Sequence, residues 1–239
     1  MKNLENKVAF VTGGSKGIGY GVAAALSSMG VKVGITSRHR DEAEKAAKEI
    51  TSNGKGEVIG IEADVRNFES QQEAIKQLTD KWGQLDVLVA NAGVGHFGSI
   101  EELTPEQWQQ TIDTNLTGVF YSLKAAVPEL KKSKGYIFTI SSLAGTNFFA
   151  GGSAYNASKF GVTGFTQAAM LDLRNYDIKV TTIMPGSVAT HFNDHTPGDA
   201  DSWKIQIEDI GEMVVDLLKM NQRALPSKIE IRPTKPPKK

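Results

Sequence analysis

Residues 7–19 read KVAFVTGGSKGIG. A run of strand formers ends at Thr12, four glycines (Gly13, Gly14, Gly17 and Gly19) follow within seven residues, and from residue 17 the apolar positions take helical spacing. The same alternation continues along the chain. Strand-like runs cover 7–13, 31–37, 56–64, 85–93, 135–142, 178–186 and 228–233. Helical spacing covers 17–29, 40–52, 67–82, 105–132, 153–175 and 208–221. The strands are nearly continuous in apolar character, as expected where both faces are covered. Strand–helix–strand alternation at this spacing predicts an α/β fold: one doubly wound parallel sheet of about seven strands with helices on both faces. No linker or composition break interrupts it, so residues 1–239 are expected to form a single domain. The least regular segment, 187–207, follows a strand, where an open α/β sheet builds its binding crevice, and is expected to be the substrate loop.

Composition narrows the partners. Lys plus Arg and Asp plus Glu each number 27, so the formal charge is zero, which argues against nucleic-acid and acidic-membrane surfaces. The basic bias is confined to RPTKPPKK at 232–239, expected to fray, with 234–239 a flexible tail, rather than to act as a binding arm. The absence of cysteine excludes disulfides and thiolate chemistry. No apolar run approaches the ~18 residues of a membrane span, and the first ten residues lack signal-peptide character, so a soluble cytoplasmic protein is expected. His191 and His195, four apart with Asp194 between them, imitate a metal pair. In a loop containing glycine and proline that register is not helical, and no metal is expected.

The glycine loop points to a nucleotide. Glycines let the backbone approach a pyrophosphate, and the helix that follows turns its free N–H groups toward the phosphates. Gly13, Gly17 and Gly19 depart from the usual G-x-G-x-x-G spacing, and no G-K-[ST] follows to make a P-loop. An NAD site places an acidic residue at the end of the second strand. Here Ser37 and Arg38 stand there instead, and a guanidinium can pair with a 2′-phosphate that a carboxylate would repel. Lys16 offers a second cation. NADP(H) is favoured over NAD(H).

Residues 153–160, SAYNASKF, place Tyr155 and Lys159 on one helix face. Taking about 6 Å and an effective dielectric of about 20, the ammonium stabilises the phenolate by about 2.8 kcal/mol, which would move a phenol from ~10 to ~8. TGGSKGIG at 12–19, NAG at 91–93, TNLTG at 114–118, ISS at 140–142, YNASK at 155–159 and PGSVAT at 185–190 occur in an order and spacing that resemble the short-chain dehydrogenase/reductase family over most of the chain. The resemblance implies a Rossmann-type domain and a catalytic set of Asn115, Ser142, Tyr155 and Lys159. Ser142 is taken over Ser141 because it lies thirteen positions before Tyr155. Tyr155 would exchange a proton with the substrate oxygen that Ser142 holds, Lys159 would also grip the nicotinamide ribose, and Asn115 would seat a water. For the cofactor the resemblance implies Gly13, Ser15, Lys16, Gly17, Ile18 and Gly19 at the phosphates and Ser37 and Arg38 at the adenosine ribose. It also implies Asp64 and Val65 at adenine, Asn91, Ala92 and Gly93 along the ribose, and Pro185, Gly186, Val188 and Thr190 around the nicotinamide.

The implied activity is NADPH-dependent reduction of a small or medium ketone or aldehyde, or the reverse oxidation of the alcohol. The alternatives are a 3-oxoacyl thioester reductase or a non-catalytic NADPH-binding protein. His96, Phe97, Phe148, Phe149, Phe192 and Trp203 are candidates for an apolar substrate mouth. Trp82 and Trp108 are expected to pack. The surplus apolar surface of helices 105–132 and 153–175 predicts a homodimer or homotetramer. The chain end, ALPSKIEIRPTKPPKK, lacks the glycine-rich finish of many acyl-carrier reductases of the family.

Overall fold

The computed structural model of the protein describes residues 3–235. Seven strands run β1 Val8–Val11, β2 Lys32–Ser37, β3 Val58–Glu62, β4 Val87–Ala90, β5 Tyr136–Ile140, β6 Lys179–Pro185 and β7 Lys228–Ile231. Between them lie α1 Gly17–Ser28, α2 Arg40–Asn53, α3 Phe68–Trp82, α4 Pro105–Ile112, α5 Gly118–Ser133, α6 Ser153–Leu173 and α7 Ile207–Lys219. All the strands pair in parallel, in the order β3-β2-β1-β4-β5-β6-β7. This is the doubly wound single domain expected from the alternation. The order reverses between β1 and β4, which opens a crevice at the carboxyl ends of those two strands.

Strand periodicity divides the core into two layers. Ala9, Val11, Val87, Val89, Tyr136 and Phe138 pack with α1, α2 and α7. Val8, Phe10, Leu88, Ala90 and Ile137 face the opposite way and pack with α3, α5 and α6. Successive residues of one strand thus serve opposite faces, and each face must be apolar. Local signals set the helix ends. Asn67 caps α3 by accepting from the Ser70 amide, and Gly83, at φ 78°, closes it. Thr104 and Gln107 form a reciprocal capping box on α4, with Pro105 in its first turn.

Two expectations need correction. The predicted helix over 105–132 is interrupted: Asp113–Thr117 form a π-helical turn between α4 and α5. A π turn inserts an extra residue into the ladder and so rotates side chains out of a 3.6-residue register. Here it carries Asn115, whose side chain is fully buried. Trp108, expected to pack, is 40% exposed on α4. Trp82 does lie partly buried against the second core layer. Among the described residues no helix is long and apolar enough to cross a membrane, and no group of three metal-ligating side chains gathers.

Candidate active site

A cleft of about 770 Å³ runs along the carboxyl ends of β1, β2, β4, β5 and β6. At one end, β1 gives way to the glycine loop. Gly13 (φ 62°) and Gly17 (φ 60°) occupy the left-handed region that L side chains rarely adopt. A methyl group at Gly19 would stand 2.4 Å from the Gly13 carbonyl oxygen, so the helix start packs directly on the loop. α1 begins at Gly17 with no side-chain cap and no acidic residue in its first turn, leaving its N–H groups and positive end to the cleft. Gly13, Ser15, Lys16, Gly17 and Ile18 all line the cleft, and Gly19 supports the loop from behind.

Asn91, expected along the ribose, lines the cleft and also braces the glycine loop. Its side-chain amide donates to the carbonyls of Thr12 and Gly13, both at 3.0 Å, while the Thr12 hydroxyl accepts from the amides of Asn91 (3.0 Å) and Ala92 (3.2 Å). Asn91 and Thr12 therefore lock β4 to the glycine loop. Thr36 adds a third support, its hydroxyl accepting from the Gly13 amide at 3.3 Å. Thr12 and Thr36 were not singled out from the sequence. Their only signal is position, at the ends of the two strands flanking the loop.

Where β2 and β3 end, the cleft is lined by Ser37, Arg38, Asp64 and Val65, together with Lys16, Glu42 and Arg66. The Ser37 hydroxyl donates to Glu42 Oε2 at 2.8 Å. Asp64 is gripped by Arg66, Nη2 to Oδ2 at 2.6 Å, and this hydrogen-bonded ion pair holds its carboxyl below the usual range. Arg38 projects into solvent at the rim.

The inner end of the cleft brings together Ser142, Tyr155 and Lys159, with Pro185, Gly186, Val188 and Thr190 from the β6 end and the segment after it. Ser142, whose hydroxyl accepts from the Ala144 amide at 3.1 Å, stands close enough to Tyr155 for its hydroxyl to act on the phenol. Lys159 lies one turn along α6, 5% exposed, its ammonium 5.6 Å from the centre of the Tyr155 ring. It donates to the Ile140 carbonyl at 3.0 Å. An ammonium has three N–H groups, and among the described residues the Ile140 carbonyl is the one acceptor it meets. Burial lowers the Lys159 pKa to about 8. Burial also raises Tyr155 above the usual phenol value, opposed by the Ser142 hydroxyl. The expectation of a phenol near 8 therefore fails for the protein alone, because desolvation of the hydroxyl outweighs the pull of an ammonium that is itself driven toward neutrality.

Asn115 does not line the cleft. Its Oδ1 accepts from the Val94 amide and its Nδ2 donates to the Val94 carbonyl, both at 2.8 Å, and to the Ser158 hydroxyl at 3.1 Å. The side chain ties the segment after β4 to α6 through Ser158, another residue sequence reasoning missed. The Ser141 hydroxyl is buried against Thr163 at 2.8 Å and donates to the Lys159 carbonyl at 3.1 Å. His96 and Phe192 line the cleft, whereas Phe148, Phe149 and Trp203 line an adjoining cavity. Phe97 and Phe192 flank Tyr155 with ring centres at 5.3 and 5.7 Å. In the 187–207 loop His195 pairs with Asp201 at 2.6 Å, and Lys204 pairs with the other oxygen at 2.6 Å. Those two partners hold the Asp201 carboxyl down at about 2. His195 is thus committed to closing its own loop, whereas His191 lines the cleft.

The family model for short chain dehydrogenases matches residues 7–200. The chain belongs to that family. It is therefore an oxidoreductase fold built for CH–OH and C=O chemistry. A trans-4-hydroxycyclohexanecarboxylate dehydrogenase from Sinomonas cyclohexanicum is 39% identical over 78% of this chain and 74% of its own. An alcohol dehydrogenase from Thermococcus sibiricus, solved with 5-hydroxy-NADP, superposes with a TM-score of 0.90 at 31% identity, covering 98% of this chain and 99% of that one. A 3-ketoacyl-(acyl-carrier-protein) reductase from Brucella melitensis, solved with NADH, gives 0.86 at 25% identity over 95% and 97%.

The family implies a nicotinamide dinucleotide, and the residues present fit one. The uncapped start of α1, the left-handed glycines beneath it and a buried ammonium with a single acceptor all leave polar capacity facing the cleft.

Proposed function

We propose that the protein is an NADP(H)-dependent reductase interconverting a small or medium ketone or aldehyde and its alcohol, with Ser142, Tyr155 and Lys159 as its catalytic residues and Asn115 positioning the elements around them. The observation that carries this reading is the meeting of the Ser142 and Tyr155 hydroxyls beside a buried Lys159, at the inner end of a cleft that starts at a phosphate-ready glycine loop. A nicotinamide ring bound there supplies the hydride for carbonyl reduction and receives it in the reverse direction. Tyr155 gives its proton to the substrate oxygen. Burial keeps the phenol protonated at neutral pH, the state an acid needs for the reductive direction. Ser142 hydrogen-bonds the same oxygen and fixes the carbonyl.

The free N–H groups of Lys159 hold ribose hydroxyls. Asn115, whose amide is already engaged on both sides, acts by keeping Val94 and α6 in register. Lys16 and Arg38 supply positive charge for a 2′-phosphate, against Glu42 on the same wall. Asp64 and Val65 border the adenine, and Ala92 and Gly93 the ribose. Phe120, Phe160 and Leu171, exposed on α5 and α6, favour a homo-oligomer.

NADPH oxidation against a panel of ketones, aldehydes and a 3-oxoacyl thioester tests the assignment and identifies the substrate class. Tyr155→Phe should retain NADPH affinity and lose about 10²–10⁴-fold in turnover. Arg38→Leu should weaken NADPH binding by roughly tenfold and leave NADH binding unchanged. Near-normal turnover by the phenylalanine variant would refute the role given to Tyr155.

A further inference from the structure

A second cavity, of about 700 Å³, adjoins the cofactor cleft and shares Ser142, Tyr155, Gly186 and Ser187 with it. Its wall is apolar, formed by Leu143, Ala144, Phe148, Phe149, Trp203 and Pro233. Among the described residues its charged lining is Arg232 and Lys235, with no Asp or Glu. Both cations come from the basic segment that follows β7, which the sequence marked as a fraying end. The described part of that segment lines one side of this chamber, and residues 236–239 of the expected tail lie outside the described residues. Arg232 uses Nη2 in a 2.9 Å pair with Glu230, which lies outside the lining. That leaves further N–H groups of the fork for a ligand.

A planar guanidinium can take both oxygens of a carboxylate. An apolar wall beside it lowers the local dielectric and strengthens that attraction. Ser142 and Tyr155 fix where the reacting oxygen sits, the aromatic wall accepts a hydrophobic body, and the two cations wait at the cavity's remaining polar side. We propose that the substrate is an oxo acid or the matching hydroxy acid. Its carboxylate is held by Arg232 and Lys235 at the end of an apolar body remote from the reacting carbonyl. This rests on the reductase reading for the site of reaction.

Calorimetry on the NADPH-loaded protein tests the anion site without turnover, using cyclohexanecarboxylate and its neutral carboxamide as probes. The carboxylate should bind at least about tenfold more tightly. Arg232→Gln combined with Lys235→Gln should reduce that margin to about twofold or less while leaving carboxamide and NADPH affinity unchanged. Equal affinities in the unmodified protein, no uptake of the carboxylate, or a margin that survives the double substitution overturns the proposal.

NADPH oxidation with 4-oxocyclohexanecarboxylate and its methyl ester separates this proposal from the one it rests on. A binding margin without turnover of either ketone upholds the anion site and removes the reductase reading. Equal turnover of acid and ester without a binding margin does the reverse.

Discussion

Lys159 shows how far a single spacing can be read. Two residues four apart on a helix must share a face, and the sequence alone brings Lys159 to Tyr155. The sign of their mutual influence was not legible, because it depends on how much water the fold removes. Burial pushes the ammonium down from 10.5 to about 8 and the phenol up. That depression has a consequence for stability. The unfolded chain keeps the proton up to about 10.5 while the folded chain releases it near 8. The unfolded state therefore binds more protons between those values, and stability rises with pH across that window. Below pH 8 the charged, buried amine costs the fold up to about 3 kcal/mol, at about 1.36 kcal/mol per pKa unit. Lys159→Met should accordingly be more stable than the parent at pH 7, by about 1–3 kcal/mol, and inactive. The gap should narrow as pH rises toward 10. Urea unfolding of both proteins without cofactor at pH 7 and 9.5 measures it. A variant less stable than the parent at pH 7 would show that the ammonium is a structural asset and not a strained functional group.

The elements were legible where periodicity is strong and obscure where backbone geometry departs from it. All seven strands were anticipated: β1 to β6 are compact, largely apolar runs bounded by glycine, proline or a polar turn, and β7 alternates Lys228, Ile229, Glu230 and Ile231. The π turn at Asp113–Thr117 was not, because one inserted residue leaves the surrounding apolar spacing almost unchanged while redirecting Asn115 into the interior. Contact between α1 and α7 was equally invisible. A methyl group at Gly21 would stand 2.5 Å from the Ile207 carbonyl oxygen, and one at Gly211 would stand 2.7 Å from the Gly21 carbonyl. The two helices touch backbone to backbone through that pair. Two effects oppose each other in Gly21→Ala. Helix propensity favours alanine by about 1 kcal/mol, whereas overpacking against a backbone that cannot swing aside costs about 1–3 kcal/mol. The net should be a loss of stability, accompanied by weaker NADPH binding because α1 carries the glycine loop at its start. Thermal unfolding and a cofactor titration read both. A melting temperature equal to or above the parent's would mean that α7 shifts without cost.

The whole molecule follows from the alternation that opens at residues 7–19. Once seven apolar strands are joined by helices, right-handed crossovers and two covered faces leave few topologies, and the crevice falls where strand order reverses. Contacts between segments far apart in sequence were not readable: the Asn91 lock on the glycine loop, the Asn115 tie between the segment after β4 and α6, and the placing of Arg232 and Lys235 beside the second cavity. Surface left over from the fold offers one more consequence. Phe120 of α5 stands edge-on to Phe165 of α6 at 6.0 Å, and Phe120, Phe160 and Leu171 are 41%, 43% and 52% exposed. Neither face is needed to cover the sheet. Removing such a patch from water is worth about 25 cal/mol per Å², so a second copy of the chain is its natural cover. Sedimentation should show a dimer or a multiple of one. Phe120→Glu with Phe160→Glu should bury carboxylates in that contact and release monomers while preserving the fold's circular dichroism. A monomeric parent, or an oligomer indifferent to both glutamates, would move the interface elsewhere on the molecule.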